Sequence, residues 1–482
     1  MRLSELLAGI PDLRILGNFV DREISRLPDD SRTVPDDRAI FIAHRGHTRD
    51  GASFAPDAER RGCRVFLSER ELSLTSDCTQ IICKFGLKTS AELALRCFDN
   101  PEKKLRFVGI TGTKGKTTTA FFLTHLLRSV GEATASVGTL GVDLGDEIRP
   151  TENTTPSIFA LAPLLSEFVK RGIRTVVTEV SSQALADGRV FGIPFSLGIF
   201  TSFFPDHIGR TEHRDLAEYV AAKRSLFSSY GIDTAIANGD DPYAAYMVSD
   251  VQKKIFCSTE GVSDVHAKIL STGREGTRFL LGDAEGELAL AGKCHLENAL
   301  LALTSAHILT GKPVESFLPA LKGVTVPGRF ERSEHGGRVF FIDYAHNGES
   351  VRRLSETVRG LYEGRQIAVF GSVGGRGETR RRLLSRAVEE CADFAVITSD
   401  DPGTEDPLGI CAELYAGFSD KTKARIVVDR ADAIRYAYRI SSPEDVILLL
   451  GKGHETYQKT ARGILPFSEK NILDSLDNSL SV

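Results

Sequence analysis

Eight short runs of β-branched and aromatic residues, each breaking off into polar residues, constrain the fold of this chain most. They are RFVGITGT, TVVTEVSS, LGIFTSFFPDH, TAIANGDD, VFFIDYAH, QIAVFGSVGG, FAVITSDDP and VILLLGKGHE. Runs that are apolar on both faces read as strands buried inside parallel sheets. Between them lie amphipathic stretches of helical length, such as TTTAFFLTHLLRSVG and RRLLSRAVEECA. That alternation predicts crossover units and doubly wound α/β sheets. Open sheets of this kind bind ligands beyond the carboxyl ends of their strands, so the polar tails are where function is to be sought.

A chain of 482 residues is long enough for about three domains at 100–200 residues each. The mixed, charged stretch around Asp99 to Lys104 and the break at Val326-Pro327-Gly328 divide it into an N-terminal domain over 1–100, a central domain over 101–327 and a C-terminal domain over 328–482. A net charge of -5 argues against a nucleic-acid partner, which usually demands a basic face. With 41% hydrophobic and 26% charged residues and no apolar run long enough to cross a bilayer, membrane insertion is not expected either. The N-terminal stretch MRLSELLAGIPDLRILG reads as a folded helix and not as a targeting segment. The eight cysteines show no C-x-x-C pair or zinc spacing, which fits packed, reduced thiols in a cytoplasmic protein.

The sharpest chemical signal is RFVGITGTKGKTTTAFF, a strand passing through Gly112, Thr113, Lys114, Gly115, Lys116, Thr117 and Thr118 into a helix. Glycines let backbone N–H groups approach phosphate oxygens, and the helix N-terminus adds its positive end. Lys116 is then placed to reach β/γ-phosphates and Thr117 to hold magnesium. The strict phosphate-loop spacing is missed by one place, because Ile110 stands where the first glycine belongs; Gly112 is expected to supply the turn. Glu179 ends another strand and offers a hard oxygen ligand to a metal ion. His207, after Asp206, follows a third strand. Lys223 lies in the amphipathic LAEYVAAKRSLF, where its pattern alone reads as a solvated surface lysine.

Taken in order, TGTKGKTTT, ENTTPS, EVSSQAL, DHIGRTEH, AAKRSLF, VPGRFER, DYAHNGES, TSDDPGTEDP and GKGHETYQ resemble the Mur ligase family from about Asp30 to Glu455. The resemblance implies three domains: a smaller N-terminal α/β domain for a uridine diphosphate group, a central phosphate-loop ATPase-type sheet, and a C-terminal Rossmann-like domain. It also implies ATP-dependent amide ligation in peptidoglycan precursor synthesis, with UDP-N-acetylmuramoyl-L-Ala-D-Glu, ATP and an amino acid as partners, magnesium as cofactor, and a monomer.

Residue by residue, the resemblance gives Ser31, Arg32, His47 and Thr48 to the uridine nucleotide. Asn153, Thr154, Thr155, Ser181, Ser182 and Arg189 go to the muramoyl dipeptide. Magnesium contacts fall on Thr117, Glu179 and His207, and on Lys223, which in the family becomes carbamylated to N6-carboxylysine. Adenine and ribose contacts fall on Asn298, Arg329 and Asp343, with His346 nearby. Amino-acid contacts fall on Arg376, Asp400, Asp401, Gly403, Gly451 and Glu455. The departures from the family pattern are Gln183, Ser202 and Cys294-His295.

Members that add diaminopimelate carry Asp-Asn-Pro-Arg where this chain has Asp400-Asp401-Pro402-Gly403, and their arginine grips the distal carboxylate in two-pronged fashion. Glycine offers no such charge and Asp401 adds a negative one, so L-lysine is expected, with L-ornithine or meso-diaminopimelate as alternatives. A folylpolyglutamate-type ligase is a rival reading, as is a nucleotide-binding scaffold without catalysis. The ENTTP stretch and N-terminal domain argue against the first. The presence together of Lys116, Glu179, His207 and Lys223 argues against the second.

Overall fold

The computed structural model describes residues 1–44, 50–83, 87–205, 213–375 and 377–478. Its internal contacts divide the chain into two compact units, the first formed by Met1–Lys268, Leu280–Glu285 and Cys294–Ala320, the second by Ile269–Phe279, Gly286–Lys293 and Leu321–Val482.

The first unit holds two sheets. The smaller has strands in the order Arg14–Gly17, Thr79–Ile82, Val65–Ser68 and Ile40–Ala43, the last three parallel and the first antiparallel. Strands Ile40–Ala43 and Val65–Ser68 are buried throughout, and their alternate residues serve two cores. Ile40, Ile42, Val65 and Leu67 pack with Leu3, Leu6 and Leu93, while Phe41 and Phe66 pack with Ala55, Ala58 and Cys63. The expected N-terminal helix is cut to Leu3–Leu7, after which the chain enters the strand Arg14–Gly17. Gly9 takes a left-handed φ of 78°, a usual way to end a helix, and Pro11 has no N–H to extend it.

Among the described residues the larger sheet has eleven strands, of which six successive parallel ones run Lys253–Ser258, Thr234–Asn238, Phe195–Phe200, Arg106–Thr111, Thr175–Glu179 and Thr134–Gly138, continued antiparallel by Gly141–Asp143 and Ile148–Arg149. The chain starts at Arg106–Thr111, winds outward on one side, returns, and then continues on the other side. The carboxyl end of that first strand therefore sits at the switch point where open sheets form a ligand crevice.

The second unit has a six-stranded sheet in the order Glu331–His335, Arg338–Asp343, Val446–Leu450, Gln366–Phe370, Phe394–Ile397 and Ala424–Ile426, parallel except for the first pair. Phe340, Ile342, Ile367, Val369, Val396, Ile447 and Leu449 form its core with Ile434 and Leu473. All eight apolar runs read from the sequence thus lie in strands with parallel partners. No helix among the described residues is long and apolar enough to cross a membrane. The eight cysteines form no disulfide, five of them are buried, and burial pushes the Cys257 thiol up to about 12.

Candidate active site

In the first unit, strand Arg106–Thr111 leads through Gly112-Thr113-Lys114-Gly115 directly into helix Lys116–Ser129. Two glycines are demanded by close approach. A Cβ on Gly112 would fall 2.0 Å from Thr201 Oγ1 and 2.9 Å from the Ser202 nitrogen, and one on Gly115 (φ 89°) would fall 2.3 Å from Asn298 Oδ1. The turn expected of Gly112 is therefore present although the formal spacing is broken at Ile110. Ser202, one of the departures, is built into the loop: its carbonyl accepts from Thr113 N at 2.7 Å, and its hydroxyl bonds both N and O of Lys114 at 3.2 and 3.1 Å. Lys116 Nζ curls back over the loop, donating to the carbonyls of Gly112 (2.8 Å) and Thr113 (3.3 Å). Thr118 is buried, and Asn298 Oδ1 accepts from Thr119 at 3.2 Å.

Glu179 ends strand Thr175–Glu179 and is buried. Its Oε2 accepts from the Thr117 hydroxyl at 2.9 Å and from the Thr139 hydroxyl at 3.2 Å, while Oε1 accepts from Thr139 N at 2.8 Å. Its carbonyl accepts from the Thr155 hydroxyl at 2.7 Å. Behind the carboxylate, a Cβ on Gly138 would fall 2.3 Å from Oε1. Carboxylate and hydroxyl oxygens side by side at a glycine loop are the donor chemistry a hard divalent cation such as magnesium takes.

Lys223 is 1% exposed, which overturns its reading as a surface lysine. Helix Leu216–Ser229, capped by Asp215, aims it at the loop, where Nζ donates to Gly112 O at 2.9 Å and lies 4.5 Å from the centre of the Tyr219 ring. The same Gly112 carbonyl thus receives both Lys116 and Lys223.

Beside Glu179, Thr154 Oγ1 lies 3.2 Å from Thr139 Oγ1, and Thr155 Oγ1 also accepts from Ser181 N at 3.1 Å. Ser181 caps the helix Ser182–Ala186. Arg189 bonds Thr155 O at 3.3 Å and Asp187 at 2.7 Å. Gln183, another departure, donates to the same Asp187 at 2.9 Å. Asn153 is exposed. In the smaller sheet's domain Ser31 is buried, and Arg32 pairs with Asp30 at 2.5 Å. His47, Thr48, His207 and Arg376 lie outside the described residues.

In the second unit, Asp343 accepts from the N–H groups of Phe330 and Ala345 at 2.6 and 2.8 Å. The Arg329 guanidinium lies 4.4 Å from the centre of the Tyr344 ring, and His346 Nδ1 bonds Tyr344 O at 2.7 Å. Arg329, Asp343 and His346 therefore gather around one tyrosine. A second group forms where strands Phe394–Ile397 and Val446–Leu450 end. Fully buried Lys452 places Nζ 2.7 Å from Asp401, 2.6 Å from Glu455 and 3.8 Å from Asp400. Gly451 (φ 106°) has room for no Cβ, which would fall 2.5 Å from Asp400 Oδ2. Nearby, buried Arg430 pairs with buried Glu469 at 2.8 Å. Burial raises the Asp400 carboxyl above its ordinary range against the pull of Arg430 and Lys452.

Asp401 does not bring the free negative charge expected of it. Its Oδ1 is taken by Lys452 Nζ at 2.7 Å and by Lys459 N at 3.1 Å. Gly403 (φ 59°) donates to Lys459 O at 3.0 Å, and open space lies where a side chain would project. Sequence reasoning missed Thr139, Lys452 and the Arg430–Glu469 pair. Lys452 carried a faint signal, a lysine between two glycines at the end of the apolar run VILLL; Thr139 carried none.

Comparison with known proteins places these groups in context. The Mur ligase middle domain matches residues 110–306, and the Mur ligase glutamate ligase domain matches residues 328–453. A UDP-N-acetylmuramoyl-L-alanyl-D-glutamate–2,6-diaminopimelate ligase from Caldanaerobacter subterraneus subsp. tengcongensis is 35% identical over 485 residues, covering 99% of this chain and 99% of the relative. A solved structure of a ligase described by the same reaction aligns with a TM-score of 0.67 at 26% identity, covering 100% of this chain and 99% of that one. Folylpolyglutamate synthase from Mycobacterium tuberculosis shares the fold at a TM-score of 0.60 and 18% identity, but over only 75% of this chain.

Proposed function

This chain belongs to the Mur ligase family, and from that premise we propose that it is an ATP-dependent ligase adding an amino acid to UDP-N-acetylmuramoyl-L-Ala-D-Glu. The observation that carries the reading is the 2.9 Å bond between Thr117, at the head of the glycine loop, and the buried Glu179 carboxylate. A phosphate cradle and a hard-oxygen cation ligand meet there.

In this reading Gly112 to Thr118 hold the triphosphate. Lys116 leaves its two loop carbonyls to follow the γ-phosphoryl group as charge spreads over its oxygens. Asn298, Arg329, Asp343 and His346 serve the nucleoside. Magnesium, held by Thr117, Glu179 and His207, supplies positive charge that offsets the phosphate oxygens. Ser31, Arg32, His47 and Thr48 hold the uridine nucleotide, and Asn153, Thr154, Thr155, Ser181, Ser182 and Arg189 orient the dipeptide. Its free D-glutamyl γ-carboxylate attacks the γ-phosphorus and ADP leaves. The amine of the incoming amino acid then attacks the acyl phosphate carbon, loses a proton, and expels inorganic phosphate as the amide forms. Lys223 is assigned as the carbamylated lysine: its ammonium gives up a proton, and the neutral amine then adds to carbon dioxide and releases a second, leaving an anionic oxygen donor beside the loop.

For the amino acid, Arg376, Asp400, Asp401, Gly403, Gly451 and Glu455 are the assigned contacts, and L-lysine remains the first choice. Gly403 provides no guanidinium for a distal carboxylate. Although Asp401 is paired, Glu455 shares the same buried Lys452 ammonium, so two carboxylates face one cation there. meso-Diaminopimelate is the second reading, favoured by the 35% identical relative that acts on it.

Incubation with ATP, magnesium, UDP-N-acetylmuramoyl-L-Ala-D-Glu and one amino acid at a time tests both levels. The reading predicts phosphate release matched by an amide product with lysine, and a weaker yield with ornithine. Product with diaminopimelate alone would refute the Gly403 argument. Phosphate without amide would favour a nucleotide-hydrolysing scaffold.

A further inference from the structure

Thr139 belongs to none of the residue sets assigned above, yet it makes more contacts to the Glu179 carboxylate than any residue that does. Its N–H reaches Oε1 at 2.8 Å and its hydroxyl reaches Oε2 at 3.2 Å. It follows the strand Thr134–Gly138, whose last residue lies so close to Oε1 that no side chain fits there. Gly138 and Thr139 therefore form a mould around one rotamer of Glu179, the one that brings Oε2 to Thr117 at 2.9 Å. The hydroxyl has a second neighbour, Thr154 Oγ1 at 3.2 Å. Because a hydroxyl has one proton and the carboxylate can only accept, the proton of Thr139 points to Glu179 and that of Thr154 points to Thr139.

We propose that Thr139 is a positioning residue that aims the Glu179 carboxylate at the cation of the bound nucleotide and links it through Thr154 to the stretch that receives the dipeptide substrate. The inference rests on the reading of Glu179 as a cation ligand. Its consequence is a coupling: a ligand that engages Thr154 pulls on the hydroxyl chain and resets the carboxylate, so cation and acceptor bind interdependently, and by linkage the effect is reciprocal. The backbone N–H bond survives any substitution at 139 except proline, so the hydroxyl contribution can be removed alone.

The test is calorimetric titration of the full chain with magnesium and a non-hydrolysable ATP analogue, with and without UDP-N-acetylmuramoyl-L-Ala-D-Glu, on wild type, Thr139→Val, Thr139→Ser and Glu179→Gln. Loss of one hydrogen bond to a charged group predicts a roughly tenfold weaker magnesium-dependent association in Thr139→Val, and loss of the acceptor's effect on it. Thr139→Ser, which restores the hydroxyl, is expected within about twofold of wild type, a pattern that loss of packing alone would not give. Wild-type binding by Thr139→Val while Glu179→Gln is weakened overturns this inference alone. Wild-type binding by Glu179→Gln overturns the cation-ligand reading beneath it. Equal weakening in the Val and Ser variants also overturns the proposal, since shape and not the hydroxyl would then matter. Should Thr139→Val fail to fold, Thr154→Val reads the same chain: retained coupling to the acceptor refutes it.

Discussion

Replacing Lys452 by methionine is expected to destabilise the second unit far more than an ordinary lysine substitution. The side chain is 0% exposed and holds Asp401 at 2.7 Å and Glu455 at 2.6 Å, whose own side chains are 10% and 15% exposed. Methionine fills a similar volume, so a cavity contributes little. What is lost is the counter-charge of two carboxylates that stay out of water. Removing one partner of a buried ion pair costs about 3–5 kcal/mol. For a unit of 150–250 residues that corresponds to a fall of about 6–20 °C in its Tm.

The ammonium is charged under assay conditions. Burial pushes Lys452 down, but the Asp400 and Glu455 carboxylates outweigh it and the net direction is upward. A raised lysine contributes its stability in full below the unfolded value and loses it only as pH rises through the folded one, well into the alkaline range. Differential scanning calorimetry of the full chain at neutral pH would follow the transition. The double variant Lys452→Met/Asp401→Asn should recover part of the loss, because one stranded charge is removed. A fall below about 2 °C in the single variant, or a double variant no more stable than the single, would refute the reasoning.

Gly112→Ala should fold but bind ATP at least about 30-fold more weakly, because its methyl group meets backbone atoms of Ser202 that cannot rotate away; equilibrium nucleotide binding checks this. Lys223→Ala should abolish ligation, and short carboxylates in the assay should restore a slow, magnesium-dependent rate; unchanged turnover would remove the carbamate assignment. Loss of hydration pushes the His295 imidazole down to about 4. The unfolded chain therefore binds more protons between about pH 4 and 6.5, and stability rises with pH across that window. Wild type should lose stability relative to His295→Gln as pH falls from 6.5 to 4 in chemical denaturation, and parallel curves would contradict this.

Much of the sheet architecture was legible because a strand buried on both faces must be apolar throughout, and runs such as TVVTEVSS and VILLLGKGHE carry that mark. Strands Ile40–Ala43 and Val65–Ser68 carry no such mark, since four apolar residues suit a short helix or a loop equally well. The spacing of Leu3, Leu6 and Leu7 reads as a longer helix than the one that forms, which Gly9 and Pro11 end.

At the site, the loop glycines and Glu179 were legible because a strand ending in a carboxylate or a glycine turn is a local pattern. The burial of Lys223 and Lys452 was not, because it depends on partners far away in the chain. The Gly112 carbonyl meets one and Asp401 the other. Asp401 misled for the same reason: its charge is visible in the sequence, while the lysine 51 positions away that neutralises it is not.

The account rests on transfer of a phosphoryl group to the substrate's carboxylate, and heavy-oxygen labelling of that carboxylate tests it most directly. With UDP-N-acetylmuramoyl-L-Ala-D-Glu labelled at the D-glutamyl γ-carboxylate, ligation should place one labelled oxygen in each released phosphate, as seen by mass spectrometry. Released phosphate free of label, alongside full amide product, would contradict the acyl phosphate and the mechanism built upon it.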